Sequence, residues 1–275
     1  MPDRTPACIT LLTDYGLAAP FVGVLHAVAF QIAPGARVID LDHSVPAHNV
    51  RVGAQRLALL VPYLPAGVHV AVVDPGVGTE RRAIAARAGD QFFVAPDNGL
   101  VSWALEAAGG ADEAAILENP RYRLASTART FDGRDIFVPA AAHLARGVPL
   151  RALGPALDPN VLVSLARPRV ERRADGSLLA EVVQVDGFGN VQLAAAAGDL
   201  GALGLALGEV VVLETPAGVT ARARCTETFG AGAPGELVLL LDSDGRLALA
   251  ANQARAQELL ALTPGDLLLL RGGDG

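Results

Sequence analysis

The sequence predicts an α/β domain followed by a smaller, mostly β domain. In the first half, predicted strands at residues 8–13, 37–42 and 68–73 alternate with helical patterns at 20–33 and 50–64. This alternation indicates a parallel sheet covered by helices on both faces. In the second half, short β-like runs are separated by glycines.

Each element of the first domain has its own signal. The run Val-His-Val-Ala-Val-Val at 68–73 has the length and composition of a buried strand. Pro20 suits the first turn of a helix, and Pro34-Gly35 suits its end. A further strand at 92–95 is followed by the turn sequence Pro96-Asp97-Asn98-Gly99. A helix-like run at 136–143 then carries one histidine.

Several prolines and a loss of periodicity between residues 147 and 168 indicate a domain boundary. We therefore expect an N-terminal domain at 1–165 and a C-terminal domain at 166–275. The expected strands of the second domain lie at 178–185, 209–214, 236–241 and 266–270. One helix is expected at 252–262, near the end of the chain.

The composition excludes several classes of protein. A hydrophobic fraction of 51% with only 4% aromatic residues indicates a compact protein with an aliphatic core. The net charge of −7 disfavours nucleic acid or an anionic membrane as the main partner. All 22 basic residues are arginine, so Schiff-base, pyridoxal phosphate and P-loop lysine chemistry are excluded.

We expect a cytoplasmic protein that needs no cofactor and no metal. No uncharged apolar run reaches the length of a membrane span, and the first residues lack a signal-peptide pattern. Cys8 and Cys225 are far apart, which argues against a disulfide framework and a structural zinc site. The spacing of His43 and His48 is too loose to specify a metal site.

The sharpest candidate site combines Asp74, Arg81 and His143. Asp74 follows a predicted strand and opens Asp-Pro-Gly-Val-Gly-Thr, which places it at the carboxyl edge where open α/β sheets bind ligands. An arginine can orient a carboxylate through two parallel hydrogen bonds, and a histidine base needs a carboxylate to fix its tautomer. The alternative is that His143 is a hydrogen-bonded core residue, as most lone helix histidines are.

Two further stretches have a functional and a structural interpretation. Asp14 ends the first strand and could bind the two hydroxyls of a ribose, or cap the helix that follows. The stretch 186–190, Asp-Gly-Phe-Gly-Asn, could hold an amine, stack on a base and bind an amide-like edge. It could equally be an ordinary glycine turn.

Five motifs, taken together and in order, resemble those of the S-adenosylmethionine (SAM) hydroxide adenosyltransferases, the adenosine-forming SAM hydrolases related to fluorinase and chlorinase. The motifs are Thr13-Asp14-Tyr15-Gly16, the stretch 72–82, Ala95-Pro96-Asp97-Asn98-Gly99, the stretch 131–139 and the stretch 186–190. The resemblance extends from Ile9 to about Asp266, and the Asp-Pro-Gly-Val-Gly-Thr sequence is its most specific part.

The resemblance implies a Rossmann-like layered α/β domain, a C-terminal β-barrel domain and a homotrimer whose sites lie between the N-domain of one subunit and the C-domain of the next. It assigns the catalytic roles of the family to Asp74, Arg81 and His143. The substrate-binding positions that it implies are Asp14 for ribose, Asp186 for the methionine ammonium, Phe188 and Asn190 for adenine, Ser243 near the methionine carboxylate, and Tyr15, His48 and Phe131 around the substrate.

The implied reaction is hydrolysis of SAM to adenosine and L-methionine by in-line attack of an activated water at C5′. Halogenases of this superfamily carry tyrosine where Asp74 stands, and an ionised carboxylate would repel a halide. A halogenase-like enzyme remains one alternative. A catalytically weak SAM- or adenosine-binding sensor is the other, because the chain departs from the family at Ala19, His26 and Asn49.

Overall fold

The computed structural model describes residues 8–125 and 129–273. The chain separates into two compact units, one up to Leu165 and one from Ala166 onwards. Among the described residues, no helix is long and apolar enough to cross a membrane.

The first unit contains one sheet and four α-helices. Its elements are β1 (Cys8–Thr13), α1 (Phe21–Ile32), β2 (Arg37–Asp42), α2 (Val50–Leu60), β3 (Val68–Val72), β4 (Ala83–Ala88), β5 (Gln91–Pro96), α3 (Ser102–Ala107), β6 (Glu113–Ile116), α4 (Val138–Ala145) and β7 (Ala156–Leu157). A π-helical turn at Gly133–Phe137 leads directly into α4. The layered α/β class is therefore confirmed.

The sheet has the order β2-β1-β3-β5-β4-β6-β7 and is mixed rather than parallel throughout. Strands β2, β1, β3 and β5 are parallel, whereas β4, β6 and β7 are antiparallel to their neighbours. The expectation of a wholly parallel sheet was wrong because β4 and β5 form a hairpin. Gly89, with φ of +58°, is the first residue of its two-residue turn. A turn this short can join two antiparallel strands but not two parallel ones.

Helices cover both faces of this sheet, as expected for a buried parallel core. Successive residues of a strand point to opposite faces. Val70 and Val72 accordingly pack in the core layer with α1 and α4, and Ala71 packs with α2 on the other side. This burial on both faces explains why the central strands are continuous apolar runs.

The second unit is a β-barrel with two short helices. Its elements are β8 (Val170–Arg172), β9 (Leu178–Val185), β10 (Val191–Ala196), α5 (Ala197–Ala202), β11 (Val210–Glu214), β12 (Thr220–Cys225), β13 (Leu237–Leu241), β14 (Arg246–Ala251), α6 (Ala256–Leu260) and β15 (Leu267–Gly272). Seven strands follow the order β10-β14-β13-β12-β11-β15-β9, and a β9–β10 pairing closes the ring. The predicted β-barrel is confirmed, with β8 added outside it on β9.

The last helix is shorter than expected. Gln253 and Ala261 both have positive φ, of 55° and 50°, which breaks the helix on each side of α6. A left-handed residue is a common helix end, although glycine usually fills that position. The helical pattern at 252–262 therefore contains only one and a half turns of helix.

Candidate functional site

A tight turn after β3 brings Arg81 back onto Asp74. The backbone N–H of Val77 donates to the carbonyl of Asp74 at 3.2 Å, and that of Thr79 donates to the carbonyl of Gly76 at 3.1 Å. Gly78 has φ of +79°, and a Cβ at this position would lie 2.7 Å from the carbonyl oxygen of Arg129. The turn therefore requires glycine at position 78, both for its backbone conformation and for the close approach.

Arg81 holds the Asp74 carboxylate through several hydrogen bonds. Its Nε lies 3.0 Å from each carboxylate oxygen, and its Nη2 also donates to Oδ2. The two side chains are 13% and 5% exposed, so the pair is shielded from solvent. Burial opposes the charge of Arg81, but the hydrogen bonds to carboxylates raise the pKa of its guanidinium. The pair is a fixed, oriented carboxylate of the kind that general-base chemistry needs.

A second carboxylate, that of Asp132, also accepts a hydrogen bond from Arg81 Nη2. Asp132 immediately precedes the π-helical turn, whose last residue, Phe137, places its ring 5.2 Å from the Arg81 guanidinium carbon. Single π-turns occur frequently at functional sites. Arg81 is thus contacted by two carboxylates and one aromatic ring.

The neighbouring arginine, Arg82, has different partners. Its Nε donates to Oδ2 of Asp97 at 2.7 Å, and its Nη2 donates to the Val161 carbonyl at 2.9 Å. Of the two adjacent arginines, Arg81 is therefore the one that faces Asp74.

His143 lies on α4, where its ring meets that of Tyr122 edge-on at 4.9 Å. Burial, together with the charges of Arg146 and Arg121, lowers the pKa of His143. In the ranges 8–125 and 129–273, no hydrogen bond or ion pair links its ring to Asp74 or Arg81. Its catalytic role stays a prediction.

Asp14 lies at the end of β1 and binds the loop that carries His48. Its Oδ2 accepts a hydrogen bond of 2.9 Å from the backbone N–H of His48. The interpretation of Asp14 as a helix cap is wrong, because the residue before α1 is Pro20 and that position makes no side-chain cap. His48 has φ of +64°, an uncommon conformation for a residue with a side chain.

Tyr15 lies near the carboxylates of Asp14, Asp74 and Asp132. Its ring packs against those of Phe21 and Phe131, each at a centroid distance of 5.7 Å. Burial, and then the charges of Asp14, Asp74 and Asp132, raise the pKa of its hydroxyl far above the ordinary value. The hydroxyl therefore stays protonated and can donate a hydrogen bond within an acidic site.

His43, one of the two histidines whose spacing could suggest a metal, lies in a polar cluster with Thr13, Asp40 and His26. His43 Nδ1 lies 2.8 Å from the Thr13 hydroxyl, and its Nε2 lies 3.0 Å from Asp40 Oδ1, which is also 2.8 Å from His26 Nε2. Among the described residues, no group of three or more histidine, cysteine, aspartate or glutamate side chains could hold a metal ion.

In the second unit, the turn between β9 and β10 is organised by Asp186. Its Oδ1 accepts the backbone N–H groups of Phe188 at 2.8 Å and Asn190 at 2.9 Å, and its Oδ2 accepts the Asn190 side-chain amide at 2.8 Å. This turn lines a cavity of about 690 Å³ with Phe229 and the segment 251–255. The Phe188 ring is 78% exposed, so an aromatic face is available to a ligand.

Ser243 lies elsewhere in this unit, on the turn that joins β13 to β14. The β10–β14 register pairs Val191 with Leu249, so the 186–190 turn lies near the other end of β14. Gln192 nevertheless connects the two regions, since its Nε2 donates to Asp242 and Asp244 at 2.7 and 2.9 Å. Ser243 is exposed and does not line the 690 Å³ cavity.

Family models match both units. The model of the SAM hydroxide adenosyltransferase N-terminal domain covers residues 9–154, and that of the C-terminal domain covers residues 180–269. The chain belongs to the SAM hydroxide adenosyltransferase family.

Similar proteins in this family carry two kinds of name. An (R)-S-adenosyl-L-methionine hydrolase of Salinispora arenicola is 52% identical over 96% of this chain and 98% of its own length. One from Thermus thermophilus is 38% identical over 94% and 96%. A fluorinase of Actinoplanes is 28% identical over 92% and 94%. A crystal structure of an uncharacterized conserved protein from Thermotoga maritima superposes with a TM-score of 0.87 at 34% identity, covering 96% of this chain and 99% of that one.

For this SAM hydroxide adenosyltransferase, the sequence missed two residues of the site. Asp132 and Phe137 both lie in a stretch that the sequence had singled out, yet only their three-dimensional position shows that they contact Arg81. The neighbouring Arg134 and Asp135 pair with each other, at 2.6 and 2.9 Å. The sequence does show an acidic residue, Asp132, directly after Phe131. Spacing alone, however, does not indicate whether Asp132 or Asp135 contacts Arg81.

Two of the departures from the family pattern have a structural role. Asn49 caps α2, accepting the backbone N–H of Val52 at 3.1 Å, and asparagine is as good a cap as aspartate. His26 makes the 2.8 Å contact with Asp40 on the adjacent strand. Neither replacement touches Asp74 or Arg81.

Proposed function

We propose that this protein hydrolyses S-adenosyl-L-methionine to adenosine and L-methionine. The observation that carries the proposal is the shielded Asp74 carboxylate, held by Arg81 at the end of β3, in a chain 52% identical to a named (R)-SAM hydrolase. Because the relatives are named for the (R) sulfonium epimer, we extend that preference to this protein.

The reaction needs a positioned nucleophile rather than a strong acid. The oxygen of one water attacks C5′, the C5′–S bond breaks, and its electron pair neutralises the sulfonium to give the thioether of methionine. The proton of the attacking water passes to the Asp74 carboxylate and then to solvent. Alignment supplies up to about 7–11 kcal/mol, and general-base assistance adds about 10²–10⁴-fold.

The identity of residue 74 favours water over halide as nucleophile. An ionised carboxylate in a shielded pocket repels a halide ion and accepts a proton from water. The fluorinase relatives are 26–28% identical, well below the hydrolase from Salinispora at 52%. A halogenase therefore remains only as an outcome of the test described below.

We assign the substrate-binding residues by combining the family resemblance with the local geometry. Asp14, beside the His48 backbone, binds the ribose hydroxyls, while Tyr15 and Phe131 flank the reacting centre. Phe188 and Asn190 bind adenine, Asp186 binds the methionine ammonium, and Ser243 lies near its carboxylate. His143 is kept as the third catalytic group of the family, and its role rests on that resemblance alone.

We further propose a homotrimer in which the first unit of one subunit and the second unit of its neighbour complete each site. This proposal is supported by the division of the substrate-binding residues between the two units of the chain. We also propose the cytoplasm as its location, which agrees with two buried free thiols at Cys8 and Cys225.

The decisive experiment incubates the purified protein with SAM enriched in either sulfonium epimer, with and without chloride, and separates the products by chromatography. We expect equal amounts of adenosine and L-methionine, formed faster from the (R) epimer and at a rate independent of chloride. A 5′-chloro product would identify a halogenase instead. Tight binding of SAM without turnover would identify a sensor.

A further inference from the structure

The Arg81 guanidinium is shared by two carboxylates, and only one of them has a role in the reaction described so far. Nη2 donates to Asp74 and to Asp132, while Nε is committed to Asp74 at 3.0 Å. The Asp132 side chain is 13% exposed, as is that of Arg81. A carboxylate this shielded, with an arginine as its partner, is a built feature rather than a surface ion pair.

The π-helical turn fixes Arg81 from two directions. Asp132 at its start supplies a carboxylate, and Phe137 at its end supplies a ring 5.2 Å from the guanidinium carbon. At the same turn, the backbone N–H groups of Arg134 and Asp135 both donate to the Phe131 carbonyl at 3.1 Å. These hydrogen bonds close the backbone around Asp132 and so fix its position. The guanidinium therefore has little freedom to rotate away from Asp74.

The charges of the cluster matter because the proposed substrate is a cation at sulfur. Asp74 and Arg81 alone form a neutral pair, which would offer the sulfonium no net attraction. Arg123 lines the same cavity as Asp132 and Arg81, and its charge interacts with both. Asp132 therefore keeps the cluster neutral, and without it one net positive charge would face the sulfonium in a shielded site, where a unit charge acts strongly at short range. The Asp132 carboxylate also holds the Arg81 guanidinium in place against repulsion by the positive charge of a bound sulfonium.

We propose that Asp132 is a positioning residue, which holds Arg81 on Asp74 and gives the site its preference for a sulfonium over a neutral thioether. The inference rests on the proposed function for its reaction, but its charge preference is measurable without turnover. The probe is a pair of ligands that differ at sulfur alone: SAM and S-adenosyl-L-homocysteine, the thioether that lacks the methyl group.

The test compares Asp132→Asn with wild type in two assays. In steady-state hydrolysis we expect kcat to fall about 10- to 100-fold, since small misplacements of catalytic groups have effects of this size. In calorimetry on an Asp74→Asn background, adding Asp132→Asn should weaken binding of SAM about three- to tenfold more than binding of the thioether. Asp132→Glu, which keeps the charge on a longer side chain, should restore the ligand preference but not kcat.

Glu118→Gln is the matched control, because it removes an exposed carboxylate from the cavity of about 300 Å³ that Arg81 and Asp132 line. It should leave both kcat and the ligand preference unchanged. A merely structural Asp132 would lower the melting temperature and leave the SAM-to-thioether ratio unaltered, which would overturn the inference. If the wild type fails to hydrolyse SAM, the proposed function fails, while the binding ratio still decides the role of Asp132.

Discussion

The hydroxyl of Tyr15 lies against the backbone of Gly133, so closely that a Cβ at residue 133 would be 2.5 Å from the hydroxyl oxygen. Tyr15 comes from the loop after β1, and Gly133 opens the π-helical turn that follows Asp132. A residue without a side chain at 133 thus allows the loop after β1 to approach the Asp74–Arg81–Asp132 cluster. This contact couples two parts of the site that are far apart in sequence.

Gly133→Ala is expected to displace the Tyr15 ring and reduce kcat/KM about tenfold or more, because a 2.5 Å contact cannot be accommodated without movement. Steady-state hydrolysis of SAM measures the effect. In the double variant Gly133→Ala/Tyr15→Phe the clashing oxygen is gone. We expect that variant to match Tyr15→Phe alone, so that the two substitutions are strongly non-additive. Simple additivity would show that the contact does not transmit the effect.

Asp74→Asn is expected still to bind SAM, with an affinity lowered no more than about tenfold by the loss of one negative charge, and to lose about 10²–10⁴-fold in kcat, the usual contribution of a general base. Asparagine keeps the shape and one hydrogen-bond acceptor for Arg81, so the turn should persist. Product chromatography gives kcat, and calorimetry gives the affinity. Glu80→Gln, an exposed carboxylate on the same turn, is the control and should remain active. Wild-type turnover by Asp74→Asn would remove the proton-accepting role of Asp74.

Sites shared between subunits predict complementation between inactive variants. Asp74→Asn disables the part of the site in the first unit, and Asn190→Ala disables the part in the second unit. A trimer that contains both variants can therefore form some sites from two undamaged parts. For random exchange in a trimer, about a quarter of the sites should be intact. The activity of the mixture after refolding together, with the mass from light scattering, tests this. Mixing Asp74→Asn with the double variant should restore nothing, and a lack of recovery in a mixed trimer would place each site within one subunit.

The pH dependence of folding should reflect His69, which is fully buried on β3. Its Nδ1 lies 3.0 Å from the Thr10 hydroxyl, and burial lowers its pKa to about 4. Because the unfolded chain takes up the proton near pH 6.5 and the folded chain does not, stability is full above pH 6.5. It falls as the pH drops towards 4, by at most about 3 kcal/mol.

Urea unfolding at pH 7.5 and pH 5 measures this loss. In His69→Gln the loss should be smaller, since the variant keeps a polar group for Thr10 but has no titrating ring, while His143 still contributes. If the loss of stability between pH 7.5 and pH 5 is the same in His69→Gln as in wild type, groups other than His69 cause the pH dependence.

The sequence predicted those elements whose physics is local. β1, β2 and β9 begin and end as expected, because each is a short β-like segment that is followed by polar or turn residues. Strand β4 was missed, since Ala-Ile-Ala-Ala-Arg-Ala has the composition of a helix and becomes a strand only through pairing with β5 and β6. The antiparallel half of the sheet follows from that pairing.

The site residues divide in the same way, into those that the local sequence predicts and those that depend on distant contacts. The approach of Arg81 to Asp74 follows from the turn between them, since Arg81 comes only seven positions after Asp74, and sequence motifs identify such turns well. Asp132 is 51 residues from Arg81, and no local pattern distinguishes it from Asp135 three positions later. His143 was predicted as a partner of Asp74 and Arg81 from the chemistry of a histidine base. Contacts between residues so far apart in sequence depend on how α4 and the π-helical turn pack, which no local pattern predicts.

The position of β15 in the ring imposes an order on biosynthesis. This strand, Leu267–Gly272, follows the other six strands of the barrel in sequence and lies between β11 and β9. During translation the α/β unit is complete about a hundred residues before the ribosome reaches it, and domains generally fold in that order. Until β15 is inserted, the edges of β9 and β11 that pair with it are unpaired, and unpaired edges can associate with other chains. Removal of β15 would therefore open the barrel between β9 and β11 without changing any strand of the α/β unit.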